Sequence, residues 1–205
     1  MAEVQITNYT ELLAAGADWL NRADLADQLP AFVTLTEAQF NRELRVRDMM
    51  VRASTTSSQE NVELPSDWLE HYSLALATTG VPLRYMSERE SNEIKATGQT
   101  SASPMGYTLI GNMIELVPTP GGDVDLRMVY YARIPALRTA GANWLLAKSP
   151  DLYLYGTLMQ AAPYLKDDER LQTWGQARGA LMESIRMESE ASLRPRSGLV
   201  AYARL

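Results

Sequence analysis

The sequence predicts an α+β fold in which N- and C-terminal helices form an antiparallel bundle, with an inserted antiparallel β subdomain and an extended C-terminal arm. Apolar residues recur every three or four positions near both chain ends, as on one face of a helix, but alternate with polar residues in the middle. Because a domain packs its elements around one core, we expect the helices of both ends to pack together. The predicted segments are residues 1–49, the first helices; 50–140, the β-rich subdomain; 141–191, the last helices; and 192–205, the arm.

Composition limits the class of protein. With 205 residues, of which 46% are hydrophobic and 21% charged, the chain is large enough to bury a core as one domain or a compact pair of subdomains. It has no cysteine, which excludes disulfides and thiolate metal sites and fits a reducing cytoplasm. We find neither a signal-peptide pattern nor the roughly 18 consecutive apolar residues of a membrane helix, and we expect a soluble chain. A net charge of −6 argues against binding to a nucleic-acid backbone.

Two helices are predicted near the N-terminus. The first begins at Tyr9, and Thr7 or Asn8 is available to cap its first turn. Pro30 suits the first turn of the second helix, where a missing backbone N–H costs nothing. The apolar face of the first helix is predicted to hold Leu12, Leu13, Gly16, Ala17 and Leu20. The second is predicted to bury Phe32, Leu35, Gln39 or Phe40, and Glu43 or Leu44, and to expose Glu37, Asn41, Arg42 and Arg45.

The middle of the chain favours strands. Residues 50–64 are rich in β-branched side chains and are predicted to form a hairpin, followed by one helical turn that contains Trp68. Strands are expected near 72–77 and 82–86. A capping box at Ser87-Glu88-Arg89-Glu90 then begins a short helix. Residues 97–104, rich in Gly, Ser and Thr, are predicted to be a flexible loop.

Three further strands give the clearest β pattern. Residues 107–110 and 113–117 flank Gly111-Asn112, a pair suited to a two-residue hairpin turn. After a turn rich in Pro and Gly, apolar and polar residues alternate over 124–133. We therefore predict an antiparallel meander with one buried face.

The C-terminal third is predicted to be helical after a loop that buries Trp144. Ser149-Pro150-Asp151 supplies a cap, a preset first turn and a carboxylate at the positive end of a helix. Pro163 is expected to end this helix, and another begins at about Asp167. The first helix is predicted to bury Leu152, Tyr155, Leu158 or Met159, and Ala162, and the last to bury Leu171, Trp174, Leu181 and Ile185.

No catalytic motif is recognisable. The single histidine, His71, follows Glu70 at a predicted strand edge, and we interpret it as a structural or surface residue. The acid cluster Asp167-Asp168-Glu169 falls in the first turn of a predicted helix, where the helix dipole stabilises each negative charge by roughly 0.3–1 kcal/mol. We therefore predict no catalytic residue, no metal site and no cofactor. Five aromatic residues could stack on bases, but we assign them to the core: Tyr130, Tyr131, Trp144, Tyr153 and Tyr155.

Several strings of the sequence resemble the head-to-tail adaptor proteins of tailed bacteriophages, the connector or tail tubular protein A-like family. The most distinctive strings are Tyr-Tyr-Ala-Arg-Ile-Pro at 130–135 and Pro-Tyr-Leu-Lys-Asp-Asp-Glu-Arg at 163–170. Residues 17–22, 41–49 and 62–65 match as well, and the resemblance spans most of the chain. It implies a structural, non-catalytic protein of the virion neck. A ring of twelve copies would join the portal to the tail or nozzle and extend the DNA channel, for which a negative charge is suitable.

The arm combines three arginines with spaced apolar residues, and by similarity to the C-terminal extensions of phage adaptors it is expected to bind the portal. The residues implied are Arg194, Arg196, Leu199, Val200, Tyr202, Arg204 and Leu205. The implied partners are further copies of the chain, the portal protein and the tail or nozzle protein, with DNA only passing through and no membrane. Assembly is expected in the cytoplasm of the bacterial host. Two alternatives stay open: an assembly or tail-completion chaperone absent from the mature virion, and a metal-assisted hydrolase that uses the acid cluster.

Overall fold

The chain folds as an α+β protein, as the sequence predicts, in a computed structural model that describes residues 5–98, 100–165 and 169–194. It divides into two units. Met49–Arg133 forms the β unit, and Met1–Asp48 together with Ile134–Leu205 forms the helical unit. The four segments and the antiparallel bundle expected from the sequence stay predictions at this finer level.

The described residues contain seven α-helices and nine strands. In chain order they are α1 (Tyr9–Leu20), α2 (Leu29–Glu43), β1 (Met50–Ser57), β2 (Asn61–Glu63), β3 (Trp68–Leu76), β4 (Arg84–Tyr85), α3 (Glu88–Lys95), β5 (Thr100–Ser101), β6 (Gly106–Ile110), β7 (Met113–Val117), β8 (Thr119–Pro120), β9 (Val124–Ala132), α4 (Leu137–Ala140), α5 (Trp144–Lys148), α6 (Pro150–Gln160) and α7 (Arg170–Leu193). Short 3₁₀ turns occupy Ala23–Gln28, Arg47–Met49 and Ala162–Tyr164. No described helix combines the length and the apolar character that crossing a membrane requires.

Helix α6 is the centre of the helical unit. It contacts α1, α2, α5 and α7, and neighbours therefore cover it on several sides. The single buried stripe predicted for this helix is wrong, because its buried residues are Leu152, Tyr153, Leu154, Gly156, Thr157 and Leu158, whereas Tyr155 is only half-buried. Gly156 permits the close approach to α2, since a Cβ there would lie 2.5 Å from Cγ2 of Thr36.

Helix α2 presents a different face to the core from the one predicted. Leu35 is 52% exposed and Glu37 only 7% exposed, the reverse of the expectation. The buried set is Leu29, Phe32, Val33, Thr36, Glu37 and Phe40. These positions follow helical spacing and leave Leu35 outside the stripe. Glu37 is tolerated inside because the backbone N–H of Leu137 donates to its Oε1 at 2.7 Å.

The β unit contains three small sheets. One has the order β1-β9-β3 and is antiparallel, one has the order β2-β7-β6-β4 and is mixed, and β5 pairs with β8 in parallel. The alternation predicted along β9 is confirmed, because Val124, Leu126, Met128, Tyr130 and Ala132 are buried and the residues between them are not. The buried residues of β9 pack with Val62, Leu74, Tyr107, Ile114 and Leu116 in one core.

The hairpin predicted over residues 50–64 is wrong. β1 pairs with β9 along its whole length, from Met50 opposite Tyr131 to Ser57 opposite Val124. β2 instead pairs with β7, where Val62 lies opposite Ile114 and is buried. The two strands therefore belong to different sheets.

Three other predictions for the β unit are corrected. Trp68 begins strand β3 and is not part of a helical turn. The Gly111 turn between β6 and β7 is confirmed, with a φ of 60° at Gly111, but β9 pairs in another sheet and the three strands are not a meander. The segment 97–104 contains β5 and is not wholly a loop.

The C-terminal helices follow their predicted breaks. α6 ends at Gln160, shortly before Pro163, as expected. Trp144 lies half-buried in helix α5, where the sequence predicts a loop with a buried tryptophan, and Leu145 and Leu146 are the buried residues there. In α7, Trp174 and Ile185 are buried as predicted, whereas Leu171 and Leu181 are half-buried. The predicted start at Asp167 lies outside the described residues.

Candidate functional site

The structure describes where the C-terminal arm begins. Helix α7 ends at Leu193, and Arg194 adopts an extended conformation while its backbone N–H donates to the carbonyl oxygen of Glu190 at 3.1 Å. Its guanidinium lies 3.7 Å from the Glu190 carboxylate, and both side chains are exposed. The other expected portal-binding residues, Arg196, Leu199, Val200, Tyr202, Arg204 and Leu205, lie outside the described residues.

Helix α7 is held by polar contacts along its length. Nη2 of Arg178 lies 2.8 Å from Oε2 of Glu43, and Nη2 of Arg186 donates to the Glu43 carbonyl oxygen at 3.0 Å. Near the C-terminal end, Oγ of Ser189 accepts the backbone N–H of Arg47 at 2.8 Å. Single exposed pairs contribute little, typically 0–1 kcal/mol. Their distribution along one helix nevertheless fixes the point from which the arm leaves.

An ion pair also restrains this region. Nζ of Lys148 lies 3.0 Å from both the Asp48 and the Glu188 carboxylates. Burial lowers the pKa of Lys148, but hydrogen bonds to the two acids outweigh it, and the pKa is raised overall. Lys148 is therefore charged at neutral pH and links α5 to α7.

A cleft of about 450 Å³ opens on the helical unit. Trp19 is 44% exposed at this cleft, and its ring meets Tyr155 edge to face with centroids 5.8 Å apart. Ile6, Ala147, Pro150 and Leu154 complete the apolar lining. An exposed tryptophan supported by a second aromatic ring is typical of contact surfaces between proteins.

A second concave surface, the β1–β2 groove, lies in the β unit. It has a volume of about 310 Å³ and is bounded by residues 53–55 of β1 and by Val62 and Glu63 of β2. Its floor is apolar, formed by Leu64, Leu74, Ile114, Leu126 and Met128. The groove lies where the two strands of the expected hairpin diverge.

Titratable groups inside the helical unit have structural partners. Burial is the main reason that the pKa of Glu37 is raised, although hydrogen bonds from Leu137 and Tyr153 oppose it. The Tyr153 hydroxyl also accepts from Nδ2 of Asn143 at 2.7 Å, and burial raises the pKa of this tyrosine. The network links α2, α4 and α6.

The β unit contains a second polar cluster. Nζ of Lys95 contacts carboxylate oxygens of both Glu60 and Glu115. The Thr119 hydroxyl donates to Glu60 at 2.9 Å, and the Ser91 hydroxyl donates to Glu115 at 3.1 Å. The hydrogen bond from Lys95 is the main reason that the pKa of Glu60 is lowered. The cluster ties α3 to β7 and to the turn before β2.

The residues considered for catalysis are not brought together. His71 is half-buried in β3, and its ring stacks on Tyr85 with centroids 5.5 Å apart. Asp167 and Asp168 lie outside the described residues, and Glu169 precedes α7 without capping it through its side chain. Within the part of the chain that the structure describes, no group of three His, Asp or Glu side chains is arranged to hold a metal ion.

The aromatic set assigned to the core divides into two groups. Tyr130 and Tyr153 are buried, and the Tyr130 hydroxyl donates to Oδ1 of Asp67 at 2.9 Å. Burial, with that hydrogen bond, raises the pKa of Tyr130 to about 12. Tyr131, Trp144 and Tyr155 are only half-buried. Neither buried ring is available to stack on a base.

A comparison with known protein families identifies the family of this chain. The model of the SU10 adaptor protein family matches residues 7–199. The chain belongs to this family of phage head-to-tail adaptors. Family membership confirms the resemblance found in the sequence and implies a structural protein of the virion neck. No curated protein matches the adaptor.

Sequence reasoning missed several residues that hold the adaptor together. The sequence predicts Glu37 on the solvent face, and it does not predict the Lys95 cluster, because Lys95 is 35 positions from Glu60 and 20 positions from Glu115 along the chain. The β1–β2 groove is not predicted, because the sequence favours a hairpin in which these two strands would pair with each other. No local sequence pattern indicates the groove, because β1 and β2 pair with strands far along the chain.

Proposed function

We propose that twelve copies of this adaptor form a ring that joins the portal to the tail or nozzle and extends the DNA channel. The family match over residues 7–199 carries this proposal, since it covers nearly all of both units. In a closed ring each copy presents one surface to the next copy and a different surface to the previous one. Many weak contacts repeated around the ring then give a durable joint.

Exposed apolar side chains support a role in assembly. On the β unit, Tyr72, Val81, Tyr85 and Met105 are each more than half exposed, at 52–59%. The helical unit exposes Trp19, Leu35 and Tyr164 to a similar degree. Exposed aromatic and aliphatic side chains that lie next to one another on a soluble protein commonly mark interfaces, and these residues are the candidates for such contacts. The adaptor thus carries candidate contact surfaces on both units.

We infer that the arm attaches the ring to the portal and that the helices of both chain ends form an antiparallel bundle from which it leaves. Arg194, at the end of α7, is the described start of this arm. The portal-binding residues are Arg194, Arg196, Leu199, Val200, Tyr202, Arg204 and Leu205. Their arginines suit an acidic or carbonyl-lined groove, and their apolar side chains suit its floor.

The adaptor acts without catalysis in this proposal. It is assembled in the cytoplasm of the host, remains in the neck, and contacts DNA only as the genome passes during packaging and ejection. The net charge of −6 suits transit, because a basic wall would attract the phosphate backbone.

Electron microscopy of the purified adaptor mixed with its portal protein tests the proposal. We expect averaged images in which a ring with the symmetry of the portal is added to one end, and images of portal alone as the control. Two further measurements address the alternatives. If mass spectrometry does not detect the adaptor in purified virions, an assembly chaperone is favoured. If calorimetry detects binding of Mg²⁺ or Ca²⁺ to the adaptor, a hydrolase is favoured.

A further inference from the structure

The two larger sheets of the β unit are joined along one side and leave an opening along the other. Residues 81–86 join its two larger sheets: the N–H of Leu83 donates to Leu74 of β3 at 2.8 Å, and the N–H of Met86 donates to Tyr107 of β6 at 2.8 Å. On the other side, β1 ends one sheet and β2 ends the other. Among the described residues no strand pairs with the outer edge of either. The opening between these edges is the β1–β2 groove.

The free edge of β1 lacks the features that usually protect edge strands. Its eight residues contain no proline and a single charge, Arg52. Its pairing with β9 continues without a bulge, whereas the pairing of β3 with β9 has two register shifts. Edge strands are commonly protected by charges, prolines or bulges, and a long regular edge invites another strand to pair with it. The apolar floor beside β1 would receive the side chains of such a strand.

We propose that the arm of a neighbouring copy enters the β1–β2 groove and pairs with β1 as an added strand. The arm is the only part of the chain outside the described residues that is long enough, since the others are residues 1–4, 99 and 166–168. Residues 197–204 equal β1 in length, and no proline follows Pro195. In an extended segment Leu199 and Ala201 face one side, whereas Val200 and Tyr202 face the other. Either side therefore offers apolar groups to the floor.

Charge complementarity also favours the arm as the occupant of the β1–β2 groove. Glu63 lines the groove, and Asp125 lies in the cleft that adjoins it along β1. In the β unit as a whole, acidic residues outnumber basic ones by ten to six. The arm has no acidic side chain from Arg194 onward and contains three arginines. The four N-terminal residues, by contrast, include Glu3 and no basic side chain.

This inference rests on the proposed ring and deepens the role of the arm. Because one arm cannot pair with a groove and bind the portal at once, the two contacts compete. An arm held in the groove of the next copy links free adaptors head to tail, and the portal must displace it before attachment. The groove thereby controls when the arm is available.

A peptide-binding experiment tests the inference directly. A fluorescent peptide of residues 194–205 is added to the adaptor that ends at Leu193, and binding is followed by anisotropy. A peptide with the same composition in scrambled order is the control. We expect saturable binding of the native peptide only, and slower amide hydrogen exchange in β1 when it is bound. Equal binding of both peptides, or unchanged exchange in β1, would overturn the inference.

Two matched variants locate the binding. Ala53→Lys places a charge at the wall of the groove, and Ala102→Lys places one on an exposed position of the β unit that does not line it. We expect Ala53→Lys to weaken peptide binding at least about tenfold and Ala102→Lys to leave it unchanged. Circular dichroism must report the same fold for both. Equal affinities of two folded variants would overturn the inference.

The outcome for the groove is separable from the outcome for the portal. The full-length Ala53→Lys adaptor keeps its arm and is expected to attach to the portal at least as well as the unmodified chain. If the peptide fails to bind while the full-length adaptor still requires its arm to attach to the portal, that result contradicts only the proposed pairing of the arm with β1 in the groove. Portal attachment by the chain that ends at Leu193 contradicts the proposed role of the arm at the portal and leaves the result for the groove standing.

Discussion

Glu37 is a carboxylate held inside the core of the helical unit. The N–H of Leu137 and the hydroxyl of Tyr153 donate to it, and these donors reduce the cost of its burial without removing it. Its pKa is therefore raised above the ordinary value near 4.5. Between that value and the higher one, the folded protein binds more protons than the unfolded chain, and its stability falls as pH rises through this window.

The variant Glu37→Gln tests this dependence. Glutamine keeps an oxygen for the Leu137 N–H but does not titrate. The stability of the Glu37→Gln adaptor, relative to that of the unmodified adaptor, should therefore increase as pH rises from 4 to 8. The measurement is the melting temperature of both proteins across that range. As a control, Glu37→Ala removes the acceptor and should destabilise by about 1–3 kcal/mol at every pH. A difference between Glu37→Gln and the unmodified adaptor that does not change with pH would contradict the explanation.

At the residue scale, burial on helices is only partly predictable. The sequence predicts Thr7 or Asn8 as the cap of α1, and Asn8 is the one that accepts the N–H of Glu11, at 3.0 Å, because capping depends on neighbours along the chain. The positions of Leu35 and Glu37 were reversed, because the rotation of α2 is set by α6 and α4. A donor 100 residues away cannot be inferred from local spacing.

At the element scale, α3 depends on Lys95. Its ammonium contacts Glu60 and Glu115, which are only 34% and 15% exposed. Replacing it with methionine leaves two neighbouring carboxylates without a counter-charge, and we expect a loss of about 1.5–3 kcal/mol in unfolding free energy at pH 7. Chemical denaturation measures this loss. Because the pKa of Glu60 is lowered in the folded protein, the stabilisation is present above its ordinary value and is lost as pH falls.

The control for Lys95→Met is Arg89→Met on the same helix. Arg89 pairs with Glu93 at 3.0 Å, but the two side chains are 89% and 65% exposed. Such a pair contributes only about 0.3–0.5 kcal/mol. Equal losses for the two variants would mean that the cluster around Lys95 has no special role in holding α3.

The contact between α2 and α6 depends on a glycine. At Gly156 a Cβ would lie 2.5 Å from Thr36 and 3.1 Å from Phe40, whereas at Gly179 in α7 nothing lies within 4 Å. Gly156→Ala should destabilise by about 1–3 kcal/mol through overpacking. Gly179→Ala should stabilise by up to about 1 kcal/mol, because alanine favours the helix. Thermal unfolding of both variants checks the opposite signs, and a stabilising Gly156→Ala would contradict the close packing.

Local patterns predicted the elements better than their partners. The Gly111 turn and the capping box at Ser87 are encoded within a few residues, and both are found as expected. The pairing of β1 was not predictable in this way. Its partner β9 lies about 70 residues away, and the nearby run containing Val62 offered a plausible but incorrect local partner. The β1–β2 groove follows from that long-range pairing and was missed with it.

At the scale of the whole molecule, the function of the adaptor lies in its surfaces. Buried polar side chains such as Glu37, Tyr153 and Ser189 have structural partners, and large apolar side chains remain exposed on both units. Family membership was predictable because the matching strings are long and well separated, even without catalytic residues to compare. The contacts of the arm were not predictable in this way, because its spacing of arginines and apolar residues does not identify a partner.

Deleting Arg194 to Leu205 tests the role of the arm in attachment to the portal. The deletion begins after the last residue of α7 and removes only one described residue, whose backbone hydrogen bond to Glu190 closes the helix. The melting temperature should therefore change little. Attachment to the portal, measured by co-sedimentation, should be abolished, whereas an adaptor whose arm is intact but carries Ala102→Lys should co-sediment normally. Normal attachment of the truncated adaptor would refute the proposed role of the arm, and a large loss of stability would mean that the arm belongs to the fold of the helical unit.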